Sequence, residues 1–168
     1  MKEILLLIIF LLSYFLVKLL KKEAIFIPLP MKTVEKILEL AEIKKNDILY
    51  DLGSGDGRIV IMAAKKYGIK AVGIEKNIFL YFLSKIKVKI NGVEDKVKII
   101  HGDLFKQKIS EASIVTIYLT QKLNDKLEPK LKRELKRGTK IISADHTLNM
   151  KEIRKVKAGH LYLHFYKI

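Results

Sequence analysis

The order of apolar and polar residues divides the chain into a uniformly apolar start and a longer region in which strand-like and helix-like patterns alternate. In the first part, the apolar run 4–20 is interrupted only by one serine, one tyrosine and one lysine. As a helix this run would span about 26 Å, slightly less than the roughly 30 Å hydrocarbon core of a bilayer. Lys18, Lys21 and Lys22 can reach the interface and make up the difference. Residues 1–22 are therefore predicted to form a hydrophobic membrane-anchor helix.

Two other interpretations of this segment stay open. A signal peptide would have a cationic start and a small-residue cleavage site, but Lys2 is offset by Glu3 and the sequence KKEAIFIPLP contains no such site. A buried amphipathic helix would be polar on one side, whereas this run is apolar all round. Because the cations lie on its C-terminal flank, the positive-inside rule places the following domain in the cytoplasm.

A short linker, residues 23–32, is predicted between the anchor and the domain. Pro28 and Pro30 lie two positions apart in it, which favours an extended and fairly stiff segment. Thr33 is suited to cap a first helix whose apolar residues recur on one face. The domain is predicted to occupy residues 33–168.

Five apolar runs of strand-like composition follow, separated by segments of helical period. They are ILYD (48–51), KAVGIE (70–75), KVKIIHGD (96–103), ASIVTIYLT (112–120) and TKIISAD (139–145). In the last helical segment, Pro129 is predicted to divide the helix or to start its second half, and Gly138 to end it. The tail alternates as a hairpin around Ala158 and Gly159. The pattern predicts an α/β fold with a doubly wound, mostly parallel seven-stranded sheet that ends in an antiparallel hairpin.

Composition limits the chemistry that this domain can carry out. The chain has 168 residues, a formal net charge of +15 and no cysteine. Disulfides, thiolate zinc sites and a cysteine nucleophile are therefore excluded. The positive charge suits an anionic surface, either nucleic acid or phospholipid headgroups, and it equally suits a lysine-covered soluble domain. The abundance of isoleucine, lysine and glutamate resembles the composition of hyperthermophile proteins.

Three glycines at alternate positions, Gly53, Gly55 and Gly57, follow Asp51 between the first strand and the next helix. Glycine lets the backbone approach a ligand closely, and the start of the helix adds free N–H groups. The dinucleotide fingerprint has a different spacing, G-x-G-x-x-G, and Asp51 would repel its pyrophosphate. The turn suits a ligand that carries both an ammonium and a carboxylate group.

Two further acids end the next two strands. Glu75 is positioned to accept hydrogen bonds from ribose hydroxyls, and Asp103 to accept one from an adenine amine. The carboxyl ends of parallel strands line one crevice, so the three acids are expected to lie together. An amino acid, a ribose and an adenine together describe S-adenosylmethionine. Taken singly, Asp51 can be a helix-capping acid, Glu75 a surface acid and Asp103 a turn residue.

The segments YDLGSGDGRIVIMAAKKYGIKAVGIE and HGDLF resemble motifs of the class I, seven-strand methyltransferases. The resemblance implies a Rossmann-like fold and S-adenosylmethionine as the cofactor. The residues that match the cofactor motifs are Asp51, Gly53, Ser54, Gly55, Gly57, Glu75, Asp103 and Leu104.

Further segments resemble the archaeal protein-lysine methyltransferases and their membrane-anchored mitochondrial relatives. These are the Pro-x-Pro element at Pro28 and Pro30, the YLT sequence after the fourth strand, and LEPKLKRELKRGTKIIS. The resemblance implies methyl transfer to lysine side chains of a protein, with Tyr118 and Thr120 as candidates to line the substrate site. With the domain held at the inner membrane face, a membrane protein with cytoplasmic lysines is the expected acceptor.

Other acceptors and a non-catalytic role stay open. Enzymes that methylate base amines typically carry an Asn/Asp-Pro-Pro-Tyr-like element after the fourth strand, where this chain reads YLTQ. An RNA, DNA or small-molecule amine is nevertheless an alternative acceptor, and a membrane-tethered module that binds the cofactor without turnover is another. The four histidines are not spaced as metal ligands, and no metal is expected; they are His101, His146, His160 and His164.

Overall fold

The computed structural model describes residues 6–11, 13–14 and 26–168. Between residues 31 and 168, helices and strands alternate along the chain before a closing hairpin. Their bounds are α1 Met31–Leu40, β1 Ile48–Leu52, α2 Arg58–Tyr67, β2 Lys70–Glu75, α3 Ile78–Ile90, β3 Val97–His101, β4 Ile114–Ile117, α4 Gln121–Glu134, β5 Lys140–Ala144, β6 Arg154–Ala158 and β7 Leu161–Lys167.

The strands form one seven-stranded sheet in the order β3-β2-β1-β4-β5-β7-β6. Strands β1 to β5 run parallel, and β7 pairs antiparallel with both β5 and β6. The predicted α/β fold with its terminal hairpin is confirmed. The chain order reverses between β1 and β4, and at such a switch point a crevice opens at the carboxyl ends of the strands.

An apolar layer covers each face of the sheet. On one face, α1 and α2 contribute Val34, Leu38 and Val60, all fully buried. On the other, α4 contributes Leu127 and Leu131, which are also fully buried. Burying a side chain of this size stabilises the fold by about 1.5–3 kcal/mol. The two layers fix the rigid strand ends that line the crevice.

The prediction that Pro129 divides the last helix, or starts its second half, is wrong. Helix α4 runs unbroken from Gln121 to Glu134 with Pro129 inside it. The proline removes one backbone hydrogen bond of the helix, at a cost of about 3 kcal/mol. The burial of Leu127 and Leu131 on either side of it offsets that cost.

Two predicted helix boundaries also differ from those of the structure. Gly138 does not end α4, because it lies beyond the helix and donates its N–H to the Ile168 carbonyl at 2.7 Å. Helix α1 begins at Met31 and not at Thr33, which lies buried in its first turn. Pro30 precedes α1, since proline's fixed φ is compatible with a helix start.

The predicted anchor lies mostly outside the described residues. Within it, residues 6–11 and 13–14 are helical. In the part of the chain that the structure describes, no helix combines the length and the apolar character that crossing a bilayer requires. The hydrophobic anchor over residues 1–22 therefore stays a prediction.

Candidate functional site

A cavity of about 340 Å³ lies at the carboxyl ends of β1, β2 and β4. Small-molecule sites in proteins typically have volumes of about 300–1,000 Å³. Asp51, Glu75 and Asp103 all line it, as do Gly53, Ser54 and Leu104. The sheet thus brings most of the predicted cofactor-binding residues to one place.

The glycine turn forms the floor of the cavity. Gly53 and Gly55 have φ angles of +85° and +55°, which side chains other than glycine's rarely adopt. A Cβ on Gly53 would lie 2.8 Å from Leu119, and one on Gly55 would overlap the Phe26 ring. The turn needs glycine both for its backbone angles and for its close packing.

Asp51 lies deeply buried on β1, with only 4% of its surface exposed. It is opposite Thr116 in the β1–β4 pairing, and the Thr116 hydroxyl donates to its Oδ1 at 2.8 Å. Burial raises the pKa of Asp51 to about 7; the Thr116 hydrogen bond opposes the shift, and the negative charges of Glu75 and Asp56 add to it. A positively charged ligand group beside Asp51 would favour its ionised form.

Glu75 holds the glycine turn against the end of β2. Its Oε2 accepts from the Gly55 N–H at 2.7 Å, and its Oε1 accepts from the Asn77 N–H at 2.7 Å. Each carboxylate oxygen has a second lone pair, so Glu75 can still accept hydrogen bonds from a ligand. The structure adds a positioning role for Glu75 to the predicted ribose-binding one.

Asp103 lies half-buried just beyond β3, where its Oδ1 accepts from the Phe105 N–H at 3.0 Å. Leu104 and Phe105 line the cavity next to it. An acid flanked by apolar side chains can hold a flat ring and accept a hydrogen bond from its amine. This arrangement suits the adenine end of the predicted cofactor.

The donor set of the cavity fits S-adenosylmethionine. Asp51 offers a carboxylate to an ammonium group, while Glu75 and Asp103 accept hydrogen bonds from hydroxyls and amines. The glycine turn leaves the room that a side chain would fill. Ser54 is buried, and its hydroxyl has no hydrogen-bond partner in the described part of the chain. A buried orphan hydroxyl indicates a group that a ligand or water satisfies.

An ion cluster beneath the turn is a feature that sequence reasoning missed. Buried Asp56 receives two hydrogen bonds from Arg58, each of 2.8 Å, and one of 2.5 Å from Lys87. Burial alone would raise the pKa of Asp56, but the hydrogen bonds and charges of Arg58 and Lys87 lower it to about 2. Arg58 also donates to the Leu29 carbonyl. No local pattern indicates this cluster, because Lys87 and Leu29 are remote in sequence.

The segment before α1 forms one wall of the cavity. Phe26, Ile27, Pro28 and Leu29 all line it, and Leu29 is almost fully buried. The predicted linker therefore belongs in part to the site. Its Pro-x-Pro sequence indicated an extended segment but not what that segment covers.

The two predicted substrate-site residues lie in different surroundings. Tyr118 lines the cavity at the end of β4, and burial, together with the negative charge of Asp145, raises its pKa. Thr120 is exposed, precedes α4 and is not part of the cavity wall. The roles of both residues stay predictions.

Asp145 is a second feature that the sequence did not indicate. It follows β5, next to the β4 end that carries Tyr118, and has a left-handed φ of +69°. Asn124 holds the turn by donating to the carbonyls of His146 and Thr147 at 3.2 and 3.3 Å. Non-glycine residues in this conformation cost about 1–3 kcal/mol and concentrate at functional sites.

The histidines take part in structural contacts. His101 Nε2 lies 3.0 Å from the Lys76 carbonyl, and His164 Nδ1 lies 3.2 Å from Glu152. Among the described residues, no group of three or more histidines, cysteines or acids is arranged to hold a metal ion.

Comparison with known protein families gives one match that covers most of the domain. The model of the ANTKMT methyltransferase domain family matches residues 51–155. The chain is 41% identical to a protein-lysine N-methyltransferase from Saccharolobus islandicus, over 81% of this chain and 87% of that protein. It is 39% identical to a Homo sapiens lysine N-methyltransferase that is named for a component of ATP synthase, over 55% of this chain and 39% of the human protein.

Among solved structures, the chain is similar to an RNA methyltransferase from Salinibacter ruber in complex with S-adenosyl-L-homocysteine. The two are 41% identical with a TM-score of 0.83, over 84% of this chain and 94% of that one. The similar proteins thus share methyl transfer but are named for different acceptors.

Proposed function

Because the chain belongs to the ANTKMT methyltransferase domain family, we propose that it is an S-adenosylmethionine-dependent protein-lysine N-methyltransferase. The observation that carries this proposal is the 41% identity to the Saccharolobus islandicus protein-lysine N-methyltransferase, which extends over 87% of that protein. The cavity supports it, since its acids and glycine turn fit the cofactor.

Each cofactor group has a candidate partner in the chain. Asp51 would bind the ammonium group, Glu75 the ribose hydroxyls and Asp103 the adenine amine, with Leu104 against the ring. When bound, S-adenosylmethionine supplies a methyl group on a positively charged sulfur; a neutral lysine amine attacks its carbon, the thioether leaves, and the nitrogen afterwards loses one proton.

The chain's own task is to accept a neutral amine and exclude water. Tyr118 and Leu119 line the cavity at the end of β4, and apolar walls favour the uncharged form of lysine. The raised pKa of Tyr118 keeps its hydroxyl protonated and neutral. That oxygen can accept a hydrogen bond from the amine and so orient the lone pair towards the methyl group.

Exposed Asp145 would act earlier, on the charged form of the incoming lysine. Its carboxylate lies at the strand end beside the one that carries Tyr118. There it would attract the ammonium group before desolvation favours loss of its proton. Thr120, exposed at the start of α4, is a further candidate to contact the acceptor chain.

The proposal includes attachment to a membrane. Residues 1–22 would form the anchor, 23–32 the linker and 33–168 the catalytic domain on the cytoplasmic side. The apolar run 4–20 and the lysines after it support this organisation. A membrane protein with cytoplasmic lysines would then be the acceptor.

The test is transfer of labelled methyl groups from S-adenosylmethionine into membranes and cytosol of the source cell, each treated afterwards with protease or nuclease. Asp51→Asn serves as the variant impaired in cofactor binding. Asp95→Asn is the matched control, since Asp95 is an exposed acid paired with Lys96 and is not part of the cavity wall. Protease-sensitive label that is recovered on lysine, lost in Asp51→Asn and retained in Asp95→Asn supports the proposal.

An RNA acceptor is the second candidate, favoured by the Salinibacter ruber similarity and by the net charge of +15. Nuclease-sensitive label would establish it and overturn the protein acceptor. No label in any fraction, despite measurable S-adenosylhomocysteine binding, would overturn both and favour a small-molecule amine or a non-catalytic module.

A further inference from the structure

Helix α3 exposes an apolar stripe along its outer face. Its members recur at intervals of three and four residues and therefore share one side of the helix. Phe79 is 74% exposed and Ile90 is 78% exposed, at opposite ends of the stripe. The stripe consists of Phe79, Phe82, Leu83, Ile86 and Ile90. Scattered exposed apolar residues are normal, but a stripe of this kind indicates an interaction surface.

Lysines lie on both sides of the stripe. Exposed Lys85 and Lys89 lie on one side of it along α3. Lys87 lies on the other side and pairs with Asp56. An apolar face bordered by lysines is typical of helices that lie in the interface of a membrane, where acyl chains receive the apolar face and anionic headgroups the cations.

The position of α3 connects the stripe with the point at which the chain enters the domain. Gly57 packs against Ser84 of α3, and Phe26 lies against Gly55 of the same turn. Phe26, Ile27 and Met31 are themselves exposed apolar residues. The stripe and the C-terminal end of the apolar segment that precedes residue 26 therefore both adjoin the glycine turn.

We infer that the α3 stripe is a membrane contact that inserts into the interfacial layer of an anionic phospholipid bilayer. This goes beyond the proposed function and does not require residues 1–22 to span the bilayer. A second copy of the chain is a less suitable occupant, because pairing two stripes would bring their bordering lysines together in molecules of charge +15. The stripe also contains no polar side chain that would select a particular protein partner.

The contact would orient the cavity relative to the membrane. Helix α3 begins directly after Asn77, which lines the cavity, and Leu80 in its first turn lines it as well. With the stripe inserted, the cavity would open close to the membrane surface. Lysines of an acceptor that protrude just beyond the headgroups would then be within reach.

The chain contains no cysteine, so one introduced cysteine carries a fluorescent probe at a single known position. The full-length variants Phe82→Cys and Ile86→Cys receive an environment-sensitive dye and are mixed with vesicles of phosphatidylglycerol and phosphatidylcholine whose acyl chains carry nitroxide quenchers. Tyr162→Cys is the control, because Tyr162 is also exposed but lies on β7 in the terminal hairpin. We expect strong quenching at positions 82 and 86 and several-fold less at 162.

Charge reversal tests the role of the bordering lysines. Lys85→Glu combined with Lys89→Glu should reduce quenching at position 82 several-fold on anionic vesicles. Lys155→Glu combined with Lys157→Glu makes the same change of charge on exposed residues of β6 and should leave quenching unchanged. Equal effects of the two double variants would overturn the lysine contribution.

Three outcomes would overturn the membrane contact itself. One is unquenched dye at 82 and 86 while the chain sediments with the vesicles. Another is a dye already shielded without vesicles, which would mean that a second copy or another part of the chain covers the stripe. The third is shielding on addition of a lysine-containing acceptor protein alone, which would make the stripe a protein-docking surface.

Discussion

Asp51 couples the predicted cofactor site to pH at the scale of a single residue. Its carboxyl is buried beside Thr116, and burial raises its pKa to about 7. Below neutral pH it is therefore largely protonated when no ligand is bound. An ammonium group beside it would stabilise the carboxylate and lower that pKa. Binding of the cofactor's amino-acid part should then release a proton in the acidic range.

We expect the affinity for S-adenosylhomocysteine to fall by up to about tenfold for each pH unit below 7, since the proton must leave Asp51 first. Calorimetric titrations between about pH 5.5 and 8 would measure this dependence. Asp51→Asn should bind more weakly and with little dependence on pH, while Asp95→Asn should behave as the unmodified protein does. A wild-type affinity that is constant with pH would contradict the assignment of the ammonium group to Asp51.

The same carboxyl affects stability with a definite sign. Its folded-state pKa of about 7 lies above the ordinary value of 3.8, so the neutral carboxyl stabilises the fold fully below pH 3.8. That contribution is lost as the pH rises through about 7, because the folded state then has to hold a buried charge. Asp51→Asn removes the effect, so its Tm relative to wild type should rise from about pH 4 to 8 in scanning calorimetry. A pH-independent difference in Tm would contradict the raised pKa.

At the scale of elements, the glycine turn joins β1 to α2 and also supports the cavity. Its positive φ angles aim the backbone at the cavity, while Phe26 packs directly against Gly55. Gly92, after α3, has a similar φ of +62° but open space where a side chain would lie. The two glycines therefore separate the cost of backbone strain from the cost of lost space.

Gly92→Ala should lower the free energy of unfolding by about 1–2 kcal/mol, the cost of a side chain in the left-handed region, without changing S-adenosylhomocysteine affinity. Gly55→Ala has the same backbone cost and additionally displaces Phe26. We expect it to weaken binding by at least about tenfold, equivalent to 1.4 kcal/mol. Denaturant titration and calorimetry measure the two quantities. Equal affinities in the two variants would show that the space at Gly55 is not needed for the ligand.

At the scale of the whole molecule, a domain boundary drawn at helix α1 would leave out part of the cavity wall. Leu29 is almost fully buried, and Arg58 holds its carbonyl while also pairing with Asp56. Phe26 covers the glycine turn. The segment 26–30 therefore packs as part of the catalytic domain.

A chain shortened to begin at Phe26 should retain S-adenosylhomocysteine affinity, whereas one that begins at Met31 should lose it about tenfold or more, because a cavity wall and the Leu29 contact are missing. The second chain should also be less stable, by about the 1.5–3 kcal/mol of one buried leucine. Calorimetry on both chains provides the comparison. Equal affinities would mean that the segment only covers the cavity and contributes nothing to binding.

The sequence by itself determined the order of strands and helices and where each strand ends. Apolar periodicity reports which face of an element is buried, and glycines or acids at a strand end report the turn. Because parallel strands end at one edge, Asp51, Glu75 and Asp103 could be predicted to share a crevice before any distance was known. The continuous helix through Pro129 could not be predicted, since local propensity does not include the burial of Leu127 and Leu131.

Only the tertiary structure decided the contacts between residues that are remote in sequence. It brought Lys87 and Arg58 to Asp56, placed Phe26 and Leu29 over the turn, and left Asp145 in a left-handed conformation. It also decided that α3 keeps an apolar face uncovered. The physical reason is that a pattern of residues specifies which side of an element avoids water, whereas the partner that covers that side depends on how all the elements pack together.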